Sequence, residues 1–258
     1  MTLKLSSIPG RSGHIFEKTP AAAATCRLHR QSWIDERYVC PQRCVSDSPG
    51  RAIYNIQVSS QAITQVASAD FPTRWGKFRI FGFRGEFEGG AEEAVALVMG
   101  NIQSATPLLR IHSQCLTGDV FGSLRCDCRQ QLEMALAMIA EKGIGVLIYE
   151  QQEGRGIGLM AKLQAYELQD AGLDTVEANE RLGFKADQRE FAMPAGILKA
   201  LGVSQVRLLS NNPDKVSALE RGGIKVVERI PCEVSPSSYA EDYLKTKKEK
   251  LGHLFTSR

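Results

Sequence analysis

The sequence predicts an α/β fold in which helices cover a mixed, partly parallel sheet, with a poorly ordered N-terminal extension in front of it. Strand and helix patterns alternate from residue 77 onward, and this order is typical of a sheet covered by helices. Residues 1–65 show no sustained strand or helix period. The 258 residues, 43% hydrophobic and 24% charged, have the composition of a folded globular protein. We therefore divide the chain into a flexible extension, residues 1–65, and a compact domain, residues 66–258.

The predicted elements of the compact domain follow one another at short intervals. Residues 78–83 and 108–113 have the apolar pattern of strands. Apolar residues at helical spacing follow at 132–139, and this helix should end near Gly143, a typical helix stop. The same patterns then predict a strand at 145–149, helices at 159–172 and around 197–201, a strand at 206–209, a helix opened by Asn212-Pro213 and a strand at 225–228.

The charge distribution argues against a nucleic-acid partner. The formal net charge is +3, and residues 1–60 hold eight basic and four acidic residues, so the remainder is nearly neutral. A near-neutral domain offers no broad attraction for phosphate backbones.

The longest apolar runs, such as residues 94–99 and 146–149, are far shorter than the roughly 18 residues that a membrane span needs. We expect neither a nucleic acid nor a membrane as partner.

Cysteine usage indicates a reducing compartment. The seven cysteines are an odd number, and two of them are separated by one residue, which fits poorly with a disulfide framework. The first thirty residues contain no apolar leader, so we expect a cytoplasmic protein. Cys26, Cys40 and Cys44 have only a loose metal-like spacing, and we interpret them as unpaired thiols.

The central motif is Cys115 followed by the pair Cys126 and Cys128. Three thiolates can occupy three corners of a zinc tetrahedron and leave the fourth for water, which is a catalytic arrangement. A structural zinc site would need a fourth ligand, and His112 is the nearest candidate. Three buried thiols beside a strand are the alternative. The tight spacing and polar neighbours favour a metal site.

A glycine-rich segment, residues 153–158, lies between a predicted strand and a predicted helix. Glycines at such a turn let backbone N–H groups approach an anion, and the helix N-terminus adds favourable partial charge. The spacing matches neither a dinucleotide fold nor a P-loop. A phosphate site and a simple tight turn both remain open.

Two polar motifs follow in the second half of the domain. Asp187 and Arg189 lie two residues apart, so on an extended segment they would point to the same side and act on one group; the alternative is an ion pair on a loop. Ser210 and Lys215 flank a strand end and a helix start, where they could bind a phosphate or a base edge. An ordinary helix N-cap is the alternative there.

Taken together in this order, the motifs resemble GTP cyclohydrolase II, the first enzyme of riboflavin biosynthesis, over about residues 66–255. The segments that carry the resemblance are RIHSQCLTGD at 110–119, GSLRCDC at 122–128, QEGRGIGL at 152–159, DTVEAN at 174–179, LGFKADQR at 182–189, LSNNP at 209–213 and KKEKLGH at 247–253.

The resemblance implies a zinc-dependent hydrolysis of GTP to 2,5-diamino-6-(5-phosphoribosylamino)pyrimidin-4(3H)-one, formate and pyrophosphate. Cys115, Cys126 and Cys128 would hold one Zn²⁺, whose water attacks C8 of guanine. Arg189 would be the nucleophile at the α-phosphate with Asp187 as its general base, and Tyr166 would assist at C8. Mg²⁺ would accompany the triphosphate, and the enzyme would be a homodimer. The implied substrate-binding residues are Arg110, Ile111, His112, Ser113, Gln114, Gln131, Glu153, Gly154, Arg155, Thr175, Ser210 and Lys215.

Three positions depart from the family pattern. Gln114 stands where Glu is common, Arg129 where Gly is frequent, and Ser210 where Thr is common. The first two could alter zinc-water acidity or substrate fit. Two alternatives follow: a paralogue that stops at the formamidopyrimidine, which Tyr166 disfavours, and a non-catalytic, zinc-stabilised nucleotide-binding module, which the Asp187–Arg189 pair disfavours.

Overall fold

The computed structural model describes residues 63–87, 90–234 and 238–255. Cys26, Cys40, Cys44 and the extension as far as residue 62 lie outside the described residues. The strands are β1 (Ile63–Thr73), β2 (Gly76–Phe87), β3 (Gly90–Met99), β4 (Leu108–Ser113), β5 (Gly145–Glu150), β6 (Gln205–Leu209) and β7 (Lys225–Ile230). The helices are α1 (Leu116–Asp119), α2 (Cys128–Lys142), α3 (Leu159–Asp170), α4 (Thr175–Arg181), α5 (Ala192–Ala200), α6 (Pro213–Arg221) and α7 (Glu241–Glu249).

The strands form one mixed sheet, which confirms the predicted fold class. Their order is β1-β2-β3-β5-β4-β6-β7. Strands β1 to β3 form an antiparallel meander, and β3 pairs antiparallel with β5. Strands β5, β4, β6 and β7 are parallel to one another. The half of the sheet that the antiparallel meander forms is therefore joined to a parallel half through β5.

Helix boundaries follow the local signals. Gly143 ends α2 in the left-handed conformation, with φ of 67°, which glycine adopts without steric cost. Asn212 caps α6, because its side-chain oxygen accepts from the backbone N–H of Asp214 at 2.9 Å, and Pro213 occupies the first helical position. Within the described ranges, no helix combines the length and apolarity required to cross a membrane.

The core lies on both faces of the parallel strands. On one face, Ile111 of β4 and Ile148 of β5 belong to the cluster that contains Ile197 of α5. On the other face, Leu108 and Leu147 belong to the cluster that includes residues of α2. Because β5 and β6 flank β4 on opposite sides, the chain crosses over in two directions from β4. Such a reversal leaves a crevice beyond the carboxyl ends of the strands.

Candidate active site

A cleft lies where the segments following β4, β5 and β6 meet. It encloses about 1140 Å³ of space, part of which is open to solvent. Of the site residues predicted from the sequence, those that line it are Arg110, His112, Ser113, Gln114, Cys115, Cys126, Cys128, Gln131, Glu153, Gly154, Arg155, Tyr166, Thr175, Arg189, Ser210 and Lys215. Ile111 is fully buried in the core, and Asp187 lies behind Arg189, so neither side chain lines the cleft.

The three cysteines converge at one end of this cleft. Cys115 directly follows β4, while Cys126 and Cys128 lie where the chain enters α2. Their sulfur atoms all lie within 4.8 Å of one another, and those of Cys115 and Cys126 are 3.7 Å apart. Tetrahedral zinc with Zn–S bonds of about 2.3 Å holds its sulfurs about 3.8 Å apart. The cluster therefore fits a zinc ion.

The backbone around the cysteines is shaped to this cluster. A Cβ atom at Gly118 would lie 2.8 Å from Sγ of Cys126 and 3.1 Å from Sγ of Cys115, so only glycine leaves the sulfurs room. Hydrogen bonds from the two neighbouring thiols lower the pKa of Cys115 well below its ordinary value, whereas the pKa of Cys126 is raised to about 11, chiefly by its interaction with Cys115. Three adjacent sulfurs cannot all be ionised without a cation, which is the charge that zinc supplies.

His112 is separate from the cysteine cluster. Its Nε2 atom lies 3.1 Å from both carboxylate oxygens of Asp119, and the group of described residues that could hold a metal ion consists of cysteines alone. Asp119 also accepts from the backbone N–H of Cys115 at 3.0 Å and from the hydroxyl of Tyr149 at 2.9 Å. Burial lowers the pKa of His112, so its ring is neutral. The sequence left open whether His112 is a fourth metal ligand. In the structure its Nε2 atom faces Asp119 instead.

Lys162 and Glu153 form a buried pair beside the sulfurs. Nζ of Lys162 donates to Glu153 at 2.6 Å and lies 3.2 Å from Sγ of Cys115. The second oxygen of Glu153 accepts from the backbone N–H of Leu116 at 2.6 Å. The glycine-rich segment is thereby fixed to the start of α1, and a positive charge faces the cysteine cluster.

Tyr166 lies on the same helix as Lys162, one turn further along α3. Its hydroxyl is 3.1 Å from Oγ1 of Thr117, which is itself 3.7 Å from Sγ of Cys115. Burial raises the pKa of Tyr166. The phenol therefore retains its proton at neutral pH and can act as a donor near the cysteines.

Asp187 and Arg189 form a bidentate pair in a segment without helix or strand, which is the ion-pair alternative that the sequence left open. Nε and Nη2 of Arg189 both donate to the carboxylate of Asp187, the former at 2.9 Å, and Nη1 lies 3.3 Å from Oγ of Ser113. Burial raises the pKa of Asp187, but the Arg189 guanidinium outweighs burial and holds it below its ordinary value. Both members are therefore charged, and Nη1 is the guanidinium nitrogen directed toward the cleft.

The glycine-rich segment forms a tight turn whose backbone is unusual. Arg155 has φ of 61°, the sole non-glycine residue in the described ranges with a positive φ. The backbone N–H of Gln188 donates to the carbonyl of Arg155 at 3.1 Å, which brings the Asp187–Arg189 segment against this turn. The terminal nitrogens of Arg155 are buried without a hydrogen-bond partner. Buried unpaired donors are costly, so these nitrogens are suited to receive an anion.

Lys215 and Ser210 lie at the carboxyl end of β6. Nζ of Lys215 donates to the carbonyl of Ile111 at 2.9 Å, and burial lowers its pKa well below the ordinary value. Oγ of Ser210 accepts from the backbone N–H of Asn212 at 3.1 Å. The N-cap alternative thus describes the local structure, and it places Ser210 and Lys215 on the cleft wall at the same time.

Sequence reasoning missed several residues of the cleft. Lys162 has a recognisable signal, because it lies four positions before Tyr166 and so shares its helix face. Four missed residues come from the C-terminal part of the chain; they are Tyr243, Lys247, His253 and Phe255. The other missed residues of the cleft are Arg125, Gln152, Ile157, Ala165, Gln169, Asn179, Asn211 and Asn212. Arg129, a departure from the family pattern, donates to Glu133 and does not line the cleft.

Comparisons with known proteins identify the family of the chain. Residues 64–231 match the family model of GTP cyclohydrolase II. GTP cyclohydrolase-2 from Buchnera aphidicola subsp. Schizaphis graminum is 54% identical over 193 residues, which cover 74% of this chain and 97% of that protein. GTP cyclohydrolase-2 from Escherichia coli O9:H4 is 55% identical over 193 residues, again 74% and 97%.

A longer relative matches over part of its length. The riboflavin biosynthesis protein RibBA from Aquifex aeolicus is 54% identical over 195 residues, which cover 75% of this chain and 48% of that protein. The chain therefore spans about half the length of this relative. The family-model match covers most of the chain and includes all three cysteines of the cluster. The chain belongs to the GTP cyclohydrolase II family of enzymes.

Proposed function

We propose that the chain hydrolyses GTP to 2,5-diamino-6-(5-phosphoribosylamino)pyrimidin-4(3H)-one, formate and pyrophosphate, the first step of riboflavin biosynthesis. The observation that carries the proposal is that a three-cysteine cluster and Arg189, which is paired with Asp187, line one cleft. Ring opening and phosphoanhydride cleavage are different reactions, and a single active site for both needs two such groups. The homodimer, the Mg²⁺ ion and the cytoplasmic location implied by the family resemblance are parts of this proposal.

Cys115, Cys126 and Cys128 would hold the zinc ion. When bound there, zinc would supply a Lewis acid able to activate water for attack on C8 of guanine at neutral pH. The hydroxyl of Tyr166, protonated and 3.1 Å from Oγ1 of Thr117, is placed to donate a proton near the same atoms. His112, held by Asp119 and buried, presents Nδ1 without a hydrogen-bond partner. We assign His112 to orienting the base.

Phosphoanhydride cleavage would use Arg189. Asp187 engages Nε and Nη2 of Arg189, so Nη1 is the nitrogen that can reach the α-phosphate. In this step one guanidinium proton passes to Asp187, a nitrogen–phosphorus bond forms, and the bond between the α-phosphorus and pyrophosphate breaks. Water then hydrolyses the nitrogen–phosphorus bond, which frees the nucleoside monophosphate and restores Arg189 and Asp187. Arginine is a poor nucleophile because its pKa exceeds about 12. The bidentate carboxylate is therefore essential to the proposal.

The triphosphate would lie among the basic side chains at the carboxyl ends of the strands. Lys215 and Arg110 are buried beneath the cleft, and the terminal nitrogens of Arg155 have no hydrogen-bond partner. Charge-assisted hydrogen bonds to phosphate oxygens are the strong ones. A Mg²⁺ ion bound to the phosphates would offset the remaining negative charge.

The test is a product analysis with the zinc-loaded full chain, GTP and Mg²⁺. We expect formate and pyrophosphate to appear in equal amounts, with ATP as the control nucleotide releasing neither. Pyrophosphate release without formate would favour a paralogue that retains the formyl group. Unchanged GTP would refute the proposal and leave a nucleotide-binding module.

A further inference from the structure

A buried ion pair joins the C-terminal helix to the cysteine cluster. Nζ of Lys247, on α7, lies 2.9 Å from Oδ1 of Asp127, the residue between Cys126 and Cys128. The side chains of Lys247 and Asp127 are 10% and 4% exposed. They are 120 positions apart in the sequence, and the match to the family model ends at residue 231, before α7 begins.

The pair continues as a chain of hydrogen bonds to the floor of the cleft. The other oxygen of Asp127 accepts from Nε2 of Gln131 at 2.5 Å. Oε1 of Gln131 accepts from Nη2 of Arg110 at 2.6 Å, and Nη1 of Arg110 donates to the carbonyl of Leu209 at 3.1 Å. Each link is a side chain that lines the cleft or directly supports one that does.

The chemistry of each link fixes the direction of the next. A carboxylate only accepts hydrogen bonds, so Asp127 turns the NH₂ group of Gln131 toward itself and the amide oxygen toward Arg110. Without a cation at Lys247, the buried charge of Asp127 would be unpaired, which is costly. The Asp127 carboxylate would then no longer be held in place, and the amide of Gln131 would lose its preferred orientation. The guanidinium of Arg110 would lose its acceptor in turn.

Lys247 reaches a second part of the cleft through Tyr243. Its Nζ atom lies 4.3 Å from the centre of the Tyr243 ring, and the guanidinium carbon of Arg155 lies 5.6 Å from the same ring. The aromatic ring thus lies between two cations, each of which it can attract. Lys247 is therefore connected to both Arg110 and Arg155.

We propose that Lys247 is a positioning residue for substrate binding, acting through Asp127 and Gln131 to hold Arg110 in place for the nucleotide. This inference rests on the proposed function, because Arg110 and Gln131 are assigned there to the substrate. It gives the C-terminal helix a part in the binding site that neither the family-model match nor the cysteine motif assigns.

The structure indicates that Lys247 can be replaced without detaching α7. The backbone N–H of Leu254 donates to the carbonyl of Asn211 at 2.9 Å, which fixes the chain after the helix. Lys250 pairs with Asp174 and Glu177 of the α4 region. These contacts do not involve the Lys247 side chain, so Lys247→Met should preserve the position of the helix.

The test compares Lys247→Met, Lys247→Arg and the control Lys248→Met, which removes an exposed lysine from the same helix. Steady-state kinetics with GTP, zinc content and thermal melting are measured on each full-length protein. For Lys247→Met we expect KM to rise about tenfold, as when a charged hydrogen bond to substrate is misplaced, with kcat and zinc content near wild type. Lys247→Arg should recover most of the loss, and Lys248→Met should match wild type.

A second comparison identifies the route. If Lys247 acts through Gln131, then Lys247→Met should raise KM little in a Gln131→Ala background, because the two residues belong to one chain. Additive effects would overturn this route. Should Lys247→Met fold poorly, the double variant Lys247→Met/Asp127→Asn leaves no unpaired buried charge. An Asn amide can donate as well as accept, so it no longer fixes the direction of the Gln131 amide, and KM should still rise. A wild-type KM in this folded double variant would overturn the inference.

The outcomes separate this inference from the proposed function. Wild-type turnover with an unchanged KM in Lys247→Met would overturn the inference alone. A lower melting temperature with KM unmoved would show a purely structural role and overturn it equally. A wild-type protein that turned over no GTP would overturn the proposed function and this inference with it.

Discussion

Lys162 places its ammonium group 3.2 Å from the sulfur of Cys115, although the two residues are 47 positions apart. The same ammonium lies 2.6 Å from Glu153. Burial disfavours its charge, but Cys115 and Glu153 outweigh burial and raise the pKa of Lys162 above its ordinary value. A permanent positive charge therefore faces the negative sulfurs of the cluster.

The first prediction concerns this lysine. Three thiolates and one Zn²⁺ would carry a net charge of −1, and the ammonium of Lys162 lies 3.2 Å from one of these sulfurs, where it is attracted to that charge. Replacing Lys162 with Met keeps most of the aliphatic stem and removes the charge, so zinc should be held about 10- to 100-fold more weakly, the usual effect of losing an outer-shell partner. Competition with a chelator measures this.

Lys142→Met is the matched control, because Lys142 is exposed at the end of α2. Its zinc affinity should equal that of wild type. Equal zinc affinity in Lys162→Met and wild type would show that the ammonium contributes nothing to metal retention.

The second prediction concerns the space around the sulfurs. In Gly118→Ala the added methyl would lie 2.8 Å from Sγ of Cys126, closer than packed atoms approach without moving. We expect zinc content and GTP turnover to fall together, while a folded core is retained. Gly82→Ala is the control, since a Cβ atom there meets nothing within 4 Å. Full zinc occupancy in Gly118→Ala would contradict the inference that only glycine at position 118 leaves the sulfurs room.

The third prediction concerns Glu150, at the carboxyl end of β5. Its side chain is buried and neither carboxylate oxygen has a hydrogen-bond partner. Burial raises its pKa to about 7, against the opposing charges of Lys215 and Arg189 and with a further rise from Glu92. In the unfolded chain the pKa of Glu is about 4.3.

The folded protein holds the proton of Glu150 more tightly than the unfolded chain does. The contribution of this group to the free energy of unfolding is therefore complete below about pH 4.3 and is lost as the pH rises through about 7. Glu150→Gln cannot ionise. We expect it to be more stable than wild type by about 3 to 4 kcal/mol at pH 8 and by only about 1 kcal/mol at pH 5.

Urea unfolding at both pH values checks this, and comparing the two proteins cancels the contribution of the cysteines. Glu141→Gln, which changes an exposed residue of α2, should follow wild type. If the free energy of unfolding changed with pH by the same amount in Glu150→Gln and wild type, the raised pKa of Glu150 would be contradicted.

Several elements could be predicted from the sequence because their signals are local. Strands β4 and β5 are covered on both faces, so almost every position is buried and the apolar run is continuous. Helix α2 ends at a left-handed glycine, and α6 begins with an Asn-Pro cap. These signals depend on the residues themselves and need no knowledge of the tertiary structure.

Other elements carry no such signal. Most positions of β1 are exposed, so its apolar and polar residues do not alternate. In β3 the buried positions include Ala94 and Ala96, which are small and equally typical of helices. Helix α7 is rich in charged residues, and its burial of Lys247 depends on Asp127, far away in the sequence.

The residues of the candidate site also fall into two groups, those that the sequence predicts and those that it does not. The cysteine cluster could be predicted from spacing, because its members lie within about a dozen residues of one another. The contact between Asp187 and Arg189 is the ion pair that the same reasoning gave as the alternative to a joint role at the substrate. The contact of Lys162 with Cys115 depends on how α3 packs against the start of α1. Charge pairs between distant segments are set by the tertiary fold, and spacing along the sequence does not reveal them.

We propose that two separate groups in one cleft carry out two half-reactions. The cysteine cluster opens the ring, and Arg189 displaces pyrophosphate. Cys126→Ser should abolish zinc binding and formate release and still release pyrophosphate, leaving an intact guanine monophosphate. Arg189→Ala should release neither product when displacement comes first.

The most direct measurement is therefore formate and pyrophosphate quantified side by side for wild type, Cys126→Ser and Arg189→Ala, with zinc content determined on the same samples. We expect both products from wild type, pyrophosphate alone from zinc-free Cys126→Ser, and neither product from Arg189→Ala. Formate at the wild-type rate from zinc-free Cys126→Ser would contradict the role of the cysteine cluster. Undiminished pyrophosphate from Arg189→Ala would contradict the role of the arginine.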